Sequence, residues 1–136
     1  MLALAACGSS HALAYRDITS QLRSPEFPRP VRSIFRTRRD LADYLADAMP
    51  GRAPRVPRID FARSEAILIA SGPRSSTGYA LRVVGVRDTG SRIAVTVRER
   101  TPGLGEPVTA RVTYPFVLLT VPHSGKRLFL HYVGRP

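Results

Sequence analysis

Cys7 is the residue best placed for covalent chemistry, and it is the only cysteine in the 136-residue chain. It follows Leu4-Ala5-Ala6 and precedes Gly8, the small-residue setting in which a bacterial signal peptidase reaches the backbone ahead of a cysteine destined for lipid. The thiol would take a diacylglycerol thioether, and the amine freed by cleavage a further acyl chain. Each buried CH₂ contributes about 0.8 kcal/mol and a single chain holds only marginally, so several chains make the anchor. Six residues precede Cys7, fewer than a basic n-region and an apolar h-region of roughly 7–15 residues require. Residues 1–7 are therefore expected to be the end of a truncated lipoprotein signal, with lipidation at Cys7. One cysteine also leaves no internal disulfide and no cysteine-based zinc site.

The other reactive side chains do not form a catalytic set. The sequence contains no G-x-S-x-G elbow, no H-E-x-x-H pair and no G-x-x-x-x-G-K phosphate loop. His123 precedes Ser124, but adjacency in sequence is not nucleophile–base geometry. Neither His123 nor His131 has a carboxylate cluster at metal-ligand spacing, and Asp60 reads as a turn cap. The expectation is a protein that is not an enzyme, with no cofactor and no metal. The candidate for partner binding is instead Arg74, Ser75, Ser76, Thr77, Gly78 and Tyr79, a short polar turn between strand-like runs, where binding residues tend to be carried. Arg74 could grip a partner carboxylate with both arms of its guanidinium. Tyr79 either shows its hydroxyl at the rim or buries its ring as a strand residue.

Charge is the most unusual bulk property: Lys+Arg 21 against Asp+Glu 10, net +11, with a pI near 11.3. Lys126 is the only lysine, an arginine bias that GC-rich coding also produces. The arginines are spread from Arg16 to Arg135, and several alternate with apolar residues, as Arg82 does between Leu81 and Val83. That is the look of solvated strand faces, and no nucleic-acid-binding motif accompanies it, so no specific nucleic acid is expected. Charge alone predicts at most a salt-sensitive attraction to anionic lipid or polysaccharide surfaces.

The length fits one domain, and no apolar run is long enough to cross a bilayer. Residues 8–30 read as a tether, from Gly8-Ser9-Ser10, and a connector marked by Pro25, Pro28 and Pro30, with only a weak strand pattern near Tyr15–Thr19. Residues 31–136 read as a single globular domain. Val31 to Phe35 suits a strand. Thr37 and Asp40 cap a helix whose stripe is Leu41, Tyr44, Leu45 and Ala48, ended by Pro50-Gly51. Beyond Ile59 the period becomes two. Ala66–Ala70 is a central strand, and Tyr79, Leu81 and Val83 pair with Ile93, Val95 and Val97 around the Asp88–Ser91 turn as an antiparallel hairpin. Further strands are expected at Val108–Val112, Val117–Val121 and Leu128–Tyr132. The fold class is mainly β (α+β): an antiparallel β-sandwich or strongly curved sheet with one short N-terminal amphipathic helix.

The order of turns from Ile59 to Val121 resembles the C-terminal domain of the PrcB family. The resemblance rests on Ile59-Asp60-Phe61, Ser71-Gly72-Pro73-Arg74, Thr77-Gly78-Tyr79, Thr101-Pro102-Gly103-Leu104-Gly105, and Val108-Thr109 leading to Thr113-Tyr114-Pro115. It implies a protease-complex subunit, without catalytic activity of its own, associated with a secreted subtilisin-like protease. It also implies a bacterial cell-envelope lipoprotein, extracytoplasmic and lipid-anchored, in keeping with Cys7. One departure is Thr77, where the family usually has a glycine; Thr there would be strained if the site required positive φ. The Ser76–Tyr79 turn also resembles, loosely, one loop of chagasin-like protease inhibitors, whose other loops have no counterpart here. The partner implied is another extracytoplasmic protein.

Overall fold

The computed structural model describes residues 10–23, 25–52 and 54–134. Cys7 and the lipid-signal reading lie outside them. Among the described residues, eight strands form two four-stranded sheets. One runs β1 (His11–Ala12), β5 (Ala80–Asp88), β6 (Arg92–Arg100), β8 (Arg127–Val133); the other runs β2 (Arg16–Asp17), β7 (Phe116–Pro122), β4 (Ser64–Ala70), β3 (Val31–Phe35). The expected mainly β sandwich is present, and α1 (Arg38–Ala48) is its single α-helix among the described residues.

The strand β4 explains the layering. Its fully apolar run cannot leave either face in water. Ala66, Leu68 and Ala70 pack with Leu41, Leu45, Met49, Phe27, Val31, Phe35 and Leu118 on the helix side. Ile67 and Ile69 point the other way, into the core between the sheets, with Val83, Val86, Ile93, Val95, Val97, Val117, Leu119 and Val121. Each fully buried Leu or Ile contributes about 1.5–3 kcal/mol relative to exposure, so the two clusters fix β4 as the shared middle layer. Thr37 caps α1 by accepting from the Asp40 N–H at 3.0 Å.

Four features differ from the sequence expectation. Residues 11–30 are not merely a tether and connector: β1 and β2 join opposite sheets, and Ile18, Leu22 and Phe27 are core residues. Strands of two residues carry little periodicity, and proline does not prevent Phe27 from packing against Phe116 with ring centres 5.7 Å apart. Residues 101–115 form a long loop, touching the 74–79 turn through a bridge between Arg74 and Thr113, so Val108–Val112 is not a strand. Its alternating valines are exposed, Val112 by 59%. The strand β8 runs parallel to β6, because β7 crosses to the other sheet between them. Finally, β5 carries a bulge at Val84, which breaks the register between Val83 and Gly85. The extra residue shifts the inward set from 81 and 83 to 86 and 88, so Asp88 faces the interior.

Candidate functional site

Two connections meet at the end of the sandwich where β4 and β6 finish: the 71–79 turn and the 101–115 loop. Arg74 was the residue singled out there, and its guanidinium is turned inward. Nε lies 2.5 Å from Glu99 Oε1 and Nη2 lies 3.2 Å from Oε2, a bidentate pair closed within the molecule. The Tyr132 hydroxyl donates to the same carboxylate at 2.9 Å. Glu99 belongs to the inward-facing set 93, 95, 97, 99 of β6 and is 5% exposed. Contact with the carboxylate holds the Arg74 pKa above its ordinary value, and burial followed by Glu99 pushes the Tyr132 phenol up to about 12. The sandwich thus ends on a neutralised polar plug rather than a free cation.

The opposite end is built alike. Asp88 accepts from Lys126 at 2.7 and 2.8 Å, and with the Gly90 N–H this lowers its pKa. Glu65, fully buried, lies 3.1 Å from Arg36 Nε, an ion pair misaligned for a hydrogen bond, and accepts from the Ser124 hydroxyl at 2.9 Å. Ser124 therefore serves Glu65, not the exposed His123 beside it. His131 is exposed on β8. Asp60 caps its turn by accepting from Ala62 N at 3.1 Å.

The rest of the 74–79 turn is tied to the long loop. Ser76 is buried, and its hydroxyl accepts from the Gly78 N–H at 3.2 Å. Thr77, at the position of the missing glycine, uses its side chain: Oγ1 accepts from the Thr109 N–H at 2.9 Å while its own N–H donates to the Thr109 carbonyl at 3.1 Å. Gly78 is required for close approach, since a Cβ would stand 2.6 Å from Pro102 Cβ and 2.8 Å from Val108 Cγ1. Arg100 donates to the Gly78 carbonyl at 2.8 Å and pairs with Glu106, raising its own pKa and lowering that of Glu106. Only Ser75 and Thr77 of the six are exposed, and Tyr79 is half-buried.

Leu104 was missed. The Glu106 N–H donates to the Gly103 carbonyl at 3.2 Å, closing a turn in which Gly105 takes φ +75° and Leu104 stands completely exposed. An apolar residue between two glycines at a loop tip was the available sequence signal. Arg100 pairs with Glu106 beside the turn, and Leu104 has no cover from its own chain. Pro102, Val108 and Val112 add further apolar surface on the same loop, half-buried to exposed. Chemically this end offers a protruding apolar knob with a polar rim of Ser75 and Thr77, suited to docking on a protein. Among the described residues no group of three His, Cys, Asp or Glu side chains could hold a metal ion, and no helix is long and apolar enough to cross a membrane.

The fold is a two-sheet β-module with two loops packed together at one end. Residues 66–122 match the family described as PrcB C-terminal, so the chain is PrcB-like from β4 to the end of β7, a span that includes both loops of this end. Comparison with curated proteins and with solved structures gave no match.

Proposed function

We propose that this protein is a non-enzymatic, lipid-anchored module of the bacterial cell envelope that binds another extracytoplasmic protein through its loop end. The partner class is a secreted subtilisin-like protease, which the protein would scaffold. The observation that carries the reading is Leu104, wholly exposed on a turn braced by Arg100 and Glu106. Isolated exposed leucines are common, but one carried on a turn already closed by hydrogen bonds between Gly103 and Glu106 leaves less backbone to order on binding. The PrcB match supplies the association with a protease complex. The alternative, a chagasin-like inhibitor, is disfavoured because Thr77 and Gly78, which carry that likeness, are engaged with Thr109, Pro102 and Val108.

The anchor at Cys7 would be followed within four residues by His11 of β1. That strand pairs with Asp88 and Arg87, at the end of the sandwich opposite the loops. With β5 about 30 Å long, the loop end would lie about that far along the strand from the anchor, within reach of soluble partners. The test is co-purification from detergent-solubilised envelope of the native host. Wild type should retain a secreted protease at physiological salt, and Leu104→Asp should lose it while keeping its fold. A protease retained equally by both would reject this end as the docking site. Titratable loss of protease activity on adding the protein would assign inhibition in place of scaffolding.

A further inference from the structure

We propose that the outer face of the sheet β1-β5-β6-β8 is a docking surface for an anionic phospholipid bilayer. The arginines that look scattered in sequence are collected by strand register. Arg82 and Arg87 on β5, Arg92, Arg98 and Arg100 on β6, and Arg127 on β8 all occupy exposed, outward positions. The acids of these strands, Asp88 and Glu99, face inward and are neutralised by Lys126 and Arg74, so these three strands present no carboxylate outward.

Internal partners account for only some of this charge. Arg100 pairs with Glu106, Arg87 donates to Ser10, and Arg92 stacks 5.7 Å over the Phe129 ring. Arg82, Arg98 and Arg127 have no side-chain partner among the described residues. Arg82 and Arg98 stand directly opposite each other across the β5–β6 ladder, an arrangement that like charges disfavour. An anion shared between them removes that repulsion, and guanidinium matches phosphate in planar, bidentate fashion.

The occupant is a bilayer rather than a soluble polyanion because apolar side chains stand among the cations. Val84 is 52% exposed and Phe129 49% exposed. The bulge puts Val84 there, and Phe129 lies beside Ala94 on the same outward row. Arginines at phosphate level with apolar side chains dipping beneath them are the signature of an interfacial surface. Chain length agrees: His11 follows Cys7 by four residues, at most about 14 Å of extended chain, so an anchor there would hold this sheet beside the membrane. That last point rests on the anchoring reading above; the charge and apolar arrangement does not.

The test uses the full chain produced with Cys7 unmodified, in flotation with vesicles of equimolar phosphatidylglycerol and phosphatidylcholine, or of phosphatidylcholine alone, at physiological salt. Binding is expected to the anionic vesicles only. Arg82→Gln with Arg98→Gln should weaken it roughly thirty-fold, from about fivefold per basic residue near a membrane surface. Arg39→Gln with Arg63→Gln, which removes the same charge from the helix side and the turn before β4, should cost less than about threefold. All four arginines are exposed, so the variants keep the wild-type thermal midpoint. Phe129→Ala tests the face without changing charge and should also weaken binding. No binding to anionic vesicles, or equal losses in the two double variants, would overturn the proposal. Full binding by Phe129→Ala would overturn the bilayer as occupant and assign the face to a soluble polyanion.

Discussion

Arg74 shows how far a side chain can be read from its neighbours in sequence. Its chemistry, a bidentate grip on a carboxylate, was legible, but the carboxylate belongs to Glu99, 25 residues away. The clue lay in β6, where Glu99 shares the parity of Ile93, Val95 and Val97 and so had to face inward with a partner. Arg74→Ala leaves that carboxylate buried beside Tyr132 alone and should destabilise the fold by about 3–5 kcal/mol, measured by chemical denaturation. Replacing Arg74 and Glu99 together by apolar residues should cost far less. Tyr132 makes a second prediction. Its folded pKa of about 12 exceeds the ordinary 10.0, so the folded state holds the phenolic proton more tightly than the unfolded chain. The stability this contributes is complete below pH 10.0 and is lost as pH rises through about 12. Tyr132→Phe should flatten that alkaline loss, and an unchanged pH profile would contradict the assignment.

At the scale of elements, long periodic segments were legible and irregular ones were not. The helix declared itself through Thr37 and the Leu41–Leu45 stripe, and β4 through its unbroken apolar run. The segment 108–112 alternates as a strand does, yet it has no ladder to join: its contacts are with the 74–79 turn, through Thr77 and Gly78, and the bridge to Arg74 is made by Thr113 just beyond it. Alternation reports a possible face, and only a neighbouring strand makes it one. The bulge at Val84 was invisible for a similar reason, since it depends on how β5 registers against β6. The packing of these loops is tested at Gly78. Gly78→Ala places a methyl against Pro102 and Val108, and overpacking of this kind should cost about 1–3 kcal/mol. Hydrogen exchange should quicken in residues 101–115 before it changes in β4. Uniform exchange in the variant would mean the two loops are not coupled.

Over the whole molecule, the topology sorts charge. Of the ten acids, Glu65, Asp88 and Glu99 are buried at the two ends of the inter-sheet core, each facing a base from outside its own strand. Lys126, the lone lysine, is one of those bases. What remains outside is strongly basic on one sheet face and apolar at one loop tip. The net charge was plain in the sequence; its segregation required the strand order. The same holds for the candidate site: its two loops were the segments that carry the PrcB resemblance, while Leu104 emerged only once the Arg100–Glu106 brace put it at the tip.

Site-specific photo-cross-linking in the native envelope tests docking through the Leu104 tip most directly. A photoreactive residue at Leu104 is compared with one at Ala46, which is exposed on α1. An adduct with a secreted protease is expected from position 104 and none from position 46. Adducts of equal yield from both positions, or none from position 104, would contradict docking through this tip.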